Sequence, residues 1–233
     1  MSKKFLENFI KKYPELADFK DDLRLSGYNT INGKHNHEKY INSQVKINKL
    51  KNTPSRPGPS SKKMHPLAKY FALHIEELRF GLCHGTRRGR EQKLLKEYLK
   101  IPVLGTEIAP SATEFKNTIQ WDFHEVKDEW IGNVSFIYSN SLDHSYDPVF
   151  CLRQWMSCIH HGGMIALQRG QDDLPDLSER LKNHCADLFQ ASPEAFEAIV
   201  DVAGAGDWEV LYPERLVIDR SKRNIILQRK GKK

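Results

Sequence analysis

Four short stretches of the chain place polar or acidic groups directly after an apolar run. They are Cys83-His84-Gly85-Thr86, Glu107-Ile108, Asp122-Phe123-His124 and the run from Ser139 through Asn140, Ser141, Leu142 and Asp143 to His144. Chance accounts for one such end more readily than for four in succession. The residue types suit a nucleoside ligand. A carboxylate such as Glu107 can accept hydrogen bonds from two ribose hydroxyls. Asp122 can accept from a purine amino group while the Phe123 backbone N–H donates to a ring nitrogen and Ile108 packs on the ring face. An imidazole titrates near pH ~6.5, so His144 is the side chain best suited to take a proton from a hydroxyl. Asn140, Asp143, His144 and Tyr146 lie where a second substrate would approach. The bland alternatives are a helix cap or surface charge for each carboxylate, and a structural hydrogen bond to Asp143 or Asp147 for His144.

Such groups need elements to position them. Leu78 to Leu82 reads as a strand, and Gly85 and Gly89 sit in or just after a turn. Glu91 to Leu99 carries Leu94, Leu95, Tyr98 and Leu99 at helical spacing, Pro102 stops that helix, and Val103 to Glu107 is the next strand. A helix that starts directly after a strand presents free backbone N–H groups, and glycines let a ligand approach them. Glu107 falls about twenty residues past the turn, the offset of a nucleotide-binding βαβ unit. Gly81, Gly85 and Gly89 do not make G-x-G-x-x-G, so spacing alone leaves an ordinary βα turn open.

The alternation continues. Strands are expected at 118–123, 134–139 and 164–168. Helices are expected at 66–77, with proline in the first turn, and at 148–159, ended by His160-His161-Gly162-Gly163 with glycine as a left-handed cap. Further helices are expected at 177–189 and 193–202, and strands at 208–211, 215–218 and 224–228, the last two forming a hairpin. This pattern predicts an α/β fold, a doubly wound, mostly parallel sheet covered on both faces. Residues 1–50 read as an N-terminal helical extension, broken near Pro14. Residues 51–65, rich in Pro, Gly and Ser, read as a linker or mobile loop, and 66–233 as the main domain. His35 and His37 read as a surface pair.

Composition narrows the classes. The 233 residues hold 36 Lys and Arg against 30 Asp and Glu, a net charge of +6. The basic ends are read as solubilising, since no basic stripe is interleaved with aromatics, and this argues against a nucleic-acid partner. Cys83, Cys151, Cys158 and Cys185 form no C-x-x-C, so no metal is expected. No apolar run approaches the ~20 residues of a membrane span, and no signal peptide is evident. A cytoplasmic protein with free thiols and no membrane partner is the expectation.

With these residues in view, the chain from about 66 to 229 resembles the class I S-adenosylmethionine-dependent methyltransferases, of the small-molecule type. Phe80-Gly-Leu-Cys-His-Gly-Thr-Arg-Arg-Gly89 is similar to the glycine motif around the methionine part of the ligand. Val103-Leu-Gly-Thr-Glu-Ile108 is similar to the acidic motif of the second strand, and Trp121-Asp-Phe123 to the adenine motif. Ser139-Asn-Ser-Leu-Asp-His144 resembles an N-x-L-E-H segment after the fourth strand, and Gly162-Gly163 the turn before the fifth. The resemblance implies a seven-stranded sheet ending in an antiparallel hairpin, with S-adenosyl-L-methionine as cofactor. It implies cofactor contacts from Gly81, Cys83, His84, Gly85, Thr86, Arg87, Glu107, Ile108, Asp122, Phe123, Ser139 and Asn140. Gly81 stands where an acidic residue is common, and Cys83 and Arg87 replace motif glycines. The methionine amino group must therefore find another partner, for which backbone carbonyls and Asn140 are candidates. The implied activity is methyl transfer to a small polar acceptor, an oxygen of a sugar or related metabolite, because no N-P-P-Y-type segment follows the fourth strand. Residues 1–65 would cover the acceptor pocket or form a homodimer. The alternatives are an RNA methyltransferase, a nicotinamide-linked oxidoreductase, disfavoured by the glycine spacing, and a binding domain without catalysis.

Overall fold

The computed structural model describes residues 2–26, 30–31, 34–51, 53, 58–170, 188–219 and 222–231. The helices are α1 (Ser2–Lys12), α2 (His37–Lys51), α3 (Ser61–His74), α4 (Arg90–Leu99), α5 (Pro148–Cys158) and α6 (Pro193–Ala203). The strands are β1 (Leu23–Leu25), β2 (Thr30–Ile31), β3 (Lys34–His35), β4 (Gly81–His84), β5 (Val103–Glu107), β6 (Thr118–Gln120), β7 (Val134–Ser139), β8 (Ile159–Gly170), β9 (Phe189–Ala191), β10 (Trp208–Leu211), β11 (Val217–Asp219) and β12 (Lys222–Arg229).

The main sheet runs β10-β12-β8-β7-β4-β5-β6, and the short β11 pairs with β12 off that path. The pairs β4–β5, β5–β6, β4–β7 and β7–β8 are parallel. β12 lies antiparallel to both β8 and β10. The chain winds outward from β4 to β6 and then returns to place β7 on the other side of β4. Strand order therefore reverses between β4 and β7, and a crevice opens beyond their carboxyl ends.

Every side chain of β7, Val-Ser-Phe-Ile-Tyr-Ser, is buried because both sheet faces are covered. Ile137 packs with Leu82, Ile165 and Trp155 on the face covered by α1, α5 and α6. Phe136 and Tyr138, one residue out of phase, pack with Leu67, Phe71 and Leu95 on the face covered by α3 and α4. Phe5, Phe9, Tyr13 and Leu16 of the N-terminal region belong to the first of these clusters. Asp147 fastens α1 to the sheet domain: it accepts from Phe150 N at 3.0 Å as the cap of α5, from Tyr13 Oη at 3.0 Å and from Lys12 Nζ at 2.7 Å.

Several expected elements differ. The helix expected from Pro66 starts at Ser61, so Pro66 is interior and 61–65 are not linker. β4 starts at Gly81 rather than Leu78, because the Ser135 hydroxyl takes Arg79 N at 2.8 Å. β6 stops at Gln120; beyond it, Asp122 turns the chain by accepting from His124 N at 3.0 Å. His160-His161-Gly162-Gly163 does not cap α5. It lies within β8, where the register to β7 shifts, and Gly162 takes φ 84° there. The strand expected at 215–218 is a single 3-10 turn, Glu214–Leu216, followed by β11. Of the helix expected at 177–189, residues 177–187 lie outside the described residues, and Phe189 begins β9, which pairs antiparallel with β1. Within the N-terminal 1–50, expected to be helical, α2 spans His37–Lys51.

Candidate functional site

The reversal between β4 and β7 fixes the site's centre. β4 ends at His84, and Gly85 follows at φ 70° with its α-carbon against Ser141; a Cβ there would lie 2.6 Å from the Ser141 Cβ and Oγ. The turn continues through Arg87 at φ 46° to Gly89 at φ 68° and enters α4. Glu107, at the carboxyl end of β5, reaches across beneath this turn. Its Oε2 accepts from Arg87 N at 2.9 Å and its Oε1 from Ala109 N at 3.1 Å. Two backbone bonds leave lone pairs on both oxygens. Burial pushes the Glu107 carboxyl above its ordinary range, and the backbone N–H groups of Ala109, Arg87 and Ile108 work against that rise.

A cleft opens above these groups. Gly85, Arg87, Glu107, Ile108, Phe123, Ser141 and His144 form its floor and sides. The roof is α2, which contributes Tyr40, Gln44, Ile47, Asn48 and Lys51. A smaller pocket shares Gly85 and Arg87 with the cleft and is completed by Gly58, Thr86, Arg88, Glu91 and Asn140. The roof is tied to the turn, since Lys51 O accepts from Arg87 Nη1 at 3.4 Å, and the chain before α3 is tied to the start of α4, since Pro59 O accepts from Arg90 Nε at 2.8 Å.

The structure thus brings Gly85, Arg87, Glu107, Ile108, Phe123 and His144 to one cleft, and Thr86 and Asn140 to its annex. His144 Nδ1 is buried with no hydrogen-bond partner among the described residues. Other expected site residues lie elsewhere. Gly81 is pressed against the Phe136 ring, and Cys83 lies in the core with Phe71 and Tyr138. His84 is buried beneath Trp155, ring centroids 4.8 Å apart, with Nδ1 2.8 Å from Thr106 Oγ1, and burial drives its pKa down to about 3. Ser139 braces the loop: its hydroxyl donates to His84 O at 3.1 Å and accepts from Ser141 N at 3.1 Å. Asp143 O accepts from Leu188 N at 2.7 Å.

Asp122 faces His124 behind Phe123. Its Oδ1 lies 2.8 Å from His124 Nδ1, and His124 Nε2 lies 2.8 Å from Ser145 Oγ. Burial would raise the Asp122 carboxyl, but the His124 side-chain and backbone bonds outweigh it and leave it below its ordinary range. Tyr146 stacks on the other face of this assembly, 3.9 Å from the His124 centroid, and His35 stacks on Tyr146 at 3.7 Å. His35 is therefore half-buried under this stack, with its ring centroid 6.0 Å from that of His37. Burial first, then the neighbouring imidazoles of His37 and His124, lower its pKa to about 4. His37 stays exposed, with Nε2 3.9 Å from Asp122 Oδ2. Among the described residues no group of three or more His, Cys, Asp or Glu is placed to hold a metal.

The α2 residues and Glu91 escaped the sequence reading, and Ser141 was seen only as part of a polar strand end, with no role of its own. One signal for α2 existed: Asn36 accepts from Lys39 N at 2.8 Å, the side-chain cap of a helix start.

Solved structures with this architecture are abundant. A 1,6-didemethyltoxoflavin-N1-methyltransferase from Burkholderia thailandensis, with 1,6-didemethyltoxoflavin and S-adenosylhomocysteine bound, superposes with a TM-score of 0.61 at 12% identity, over 90% of this chain and 95% of that one. The chain has the methyltransferase fold. The mitomycin 7-O-methyltransferase MmcR gives a TM-score of 0.58 at 12% identity, over 97% and 68% of the two chains. The sugar N-methyltransferase KedS8 from Streptoalloteichus gives 0.55 at 11%, over 76% and 91%. No family model matches the sequence, and no curated protein is similar to it in sequence. The resemblance drawn from the motifs thus holds at the level of the fold.

Proposed function

We propose that the protein is an S-adenosylmethionine-dependent methyltransferase acting on a small polar acceptor, an oxygen of a sugar or related metabolite. The observation that carries this is Glu107, a buried carboxylate at the end of β5 with free lone pairs facing a roofed cleft. The groups present fit such a ligand: Glu107 for the ribose hydroxyls, Ile108 and Phe123 for the base, and the open Gly85 turn for the sulfonium and its amino-acid arm. The cofactor supplies an electrophilic methyl group on a sulfonium, displaced in line by the acceptor. The chain's part is alignment and proton removal. Ser141 and His144 share the cleft wall, so an acceptor hydroxyl beside them has the His144 imidazole within reach as a base. Tyr40, Gln44 and Asn48 of the roof exclude water and limit the acceptor to one that fits beneath a helix. That enclosure favours a small molecule over a nucleic acid, and the mitomycin enzyme, an O-methyltransferase of the same fold, is consistent with an oxygen acceptor. The roof also makes residues 37–51 part of the active unit rather than an appendage.

Calorimetry with S-adenosylmethionine, S-adenosylhomocysteine and NAD tests the proposal. Binding of the first two and not the third is expected, and Glu107→Ala is expected to weaken S-adenosylhomocysteine by about tenfold or more, the worth of hydrogen bonds to a charged group. NAD binding, or an unchanged affinity in Glu107→Ala, would overturn it.

A further inference from the structure

Glu91 is the one carboxylate of the annex, and it is 96% buried by solvent exposure of 4%. It stands in the first turn of α4, and its Oε2 has no hydrogen-bond partner among the described residues. Arg88 and Gly58 line the annex with it. Arg87 in the turn and Glu107 on β5 act on its charge, and its own charge acts on Cys83 of β4 and Tyr138 of β7. Asn140, which follows β7, lines the annex with it. A buried carboxyl oxygen left unpaired in a pocket costs free energy unless a donor arrives there. The annex adjoins the cleft and shares Gly85 and Arg87 with it, so a ligand whose nucleoside rests on Glu107 has its amino-acid arm beside the annex.

We propose that Glu91, with Asn140 beside it, binds the α-ammonium group of the ligand's amino-acid arm, so that the acidic partner missing from strand β4 is supplied by the helix after the turn. This rests on the function proposed above. It makes the amino-acid half, and not the nucleoside alone, a determinant of affinity. It also couples binding to a proton. Burial first, opposed by the Glu91 backbone N–H and the Arg87 charge, holds this carboxyl at about 7. A carboxyl that is partly protonated at neutral pH must ionise to pair with an ammonium. Affinity for an amino-bearing ligand therefore rises as pH is raised from 6 to 8, with release of a proton.

Calorimetry on the full chain compares S-adenosylhomocysteine with its analogue lacking the α-amino group, in wild type and Glu91→Gln, at pH 6 and pH 8. Wild type is expected to favour the amino-bearing ligand by about 10- to 100-fold, the range of a charge-assisted hydrogen bond. Glu91→Gln should lose that preference and its pH dependence while keeping the affinity for the analogue. If wild type binds both ligands alike, or if Glu91→Gln retains the preference, the assignment is overturned while the methyltransferase proposal stands. If wild type binds neither, both fall together. The wild-type comparison needs no variant, so it decides even if Glu91→Gln folds poorly.

Discussion

The site depends on single residues whose position cannot be filled by near equivalents. Gly85 combines φ 70° with a contact that leaves no room for a Cβ beside Ser141. Gly85→Ala must therefore strain the turn or push the Ser141 loop away. We expect a loss of about 1–3 kcal/mol in urea denaturation, together with weaker ligand binding. Glu91 gives a second residue-scale prediction, through its pKa of about 7 against an ordinary value of 4.5. Below 4.5 both folded and unfolded chains hold the proton. Between 4.5 and 7 the unfolded chain releases it and the folded chain keeps it, so this group's contribution to stability falls as pH rises and its full cost persists above 7. Glu91→Gln should hence stabilise the ligand-free protein relative to wild type at pH 8 by on the order of 2–3 kcal/mol, and much less at pH 5. An equal difference at the two pH values in chemical denaturation would contradict this.

Elements explain what the sequence discloses and what it withholds. Val103–Glu107, Val134–Ser139 and Trp208–Leu211 were legible to the residue, because apolar strands bounded by Pro, Asn and Gly have sharp chemical edges. Glu107 was legible with them, as the acidic end of such a strand. α2 was not. Its buried face is Tyr40, Gln44 and Asn48, while Leu50 is 71% exposed, so hydrophobic periodicity points away from the face that matters. A helix that roofs a polar ligand buries amides and leaves leucine outside, and the period search then finds nothing. Glu91 was hidden for a related reason: an acidic residue in a first helical turn reads as a favourable charge on the helix dipole, and only the fold shows it buried. Replacing both Gln44 and Asn48 with alanine is expected to weaken S-adenosylhomocysteine about tenfold in calorimetry, as loss of two polar contacts would. Leu50→Ala, on the opposite face, should leave the affinity unchanged.

For the molecule as a whole, the doubly wound sheet delivers four strand ends to one edge, and the N-terminal region closes that edge. Phe5, Phe9, Tyr13 and Leu16 share a core with β7 and α5, and Asp147 locks α1 to α5, so the N-terminal region packs as part of the domain core. The division into extension, linker and domain read from composition missed this because a Pro-rich stretch says where the chain turns, not what its ends pack against. Among the described residues no helix is long and apolar enough to cross a membrane. The central claim is that one nucleoside lies in the cleft between the β4 turn and α2, and a crystal structure of the protein with S-adenosylhomocysteine tests it most directly. The account predicts ribose hydroxyls within hydrogen-bond distance of Glu107, the base beside Ile108 and Phe123, and the amino group on Glu91; a nucleoside bound anywhere else, with Glu107 contacting only the backbone of Arg87 and Ala109, would contradict it.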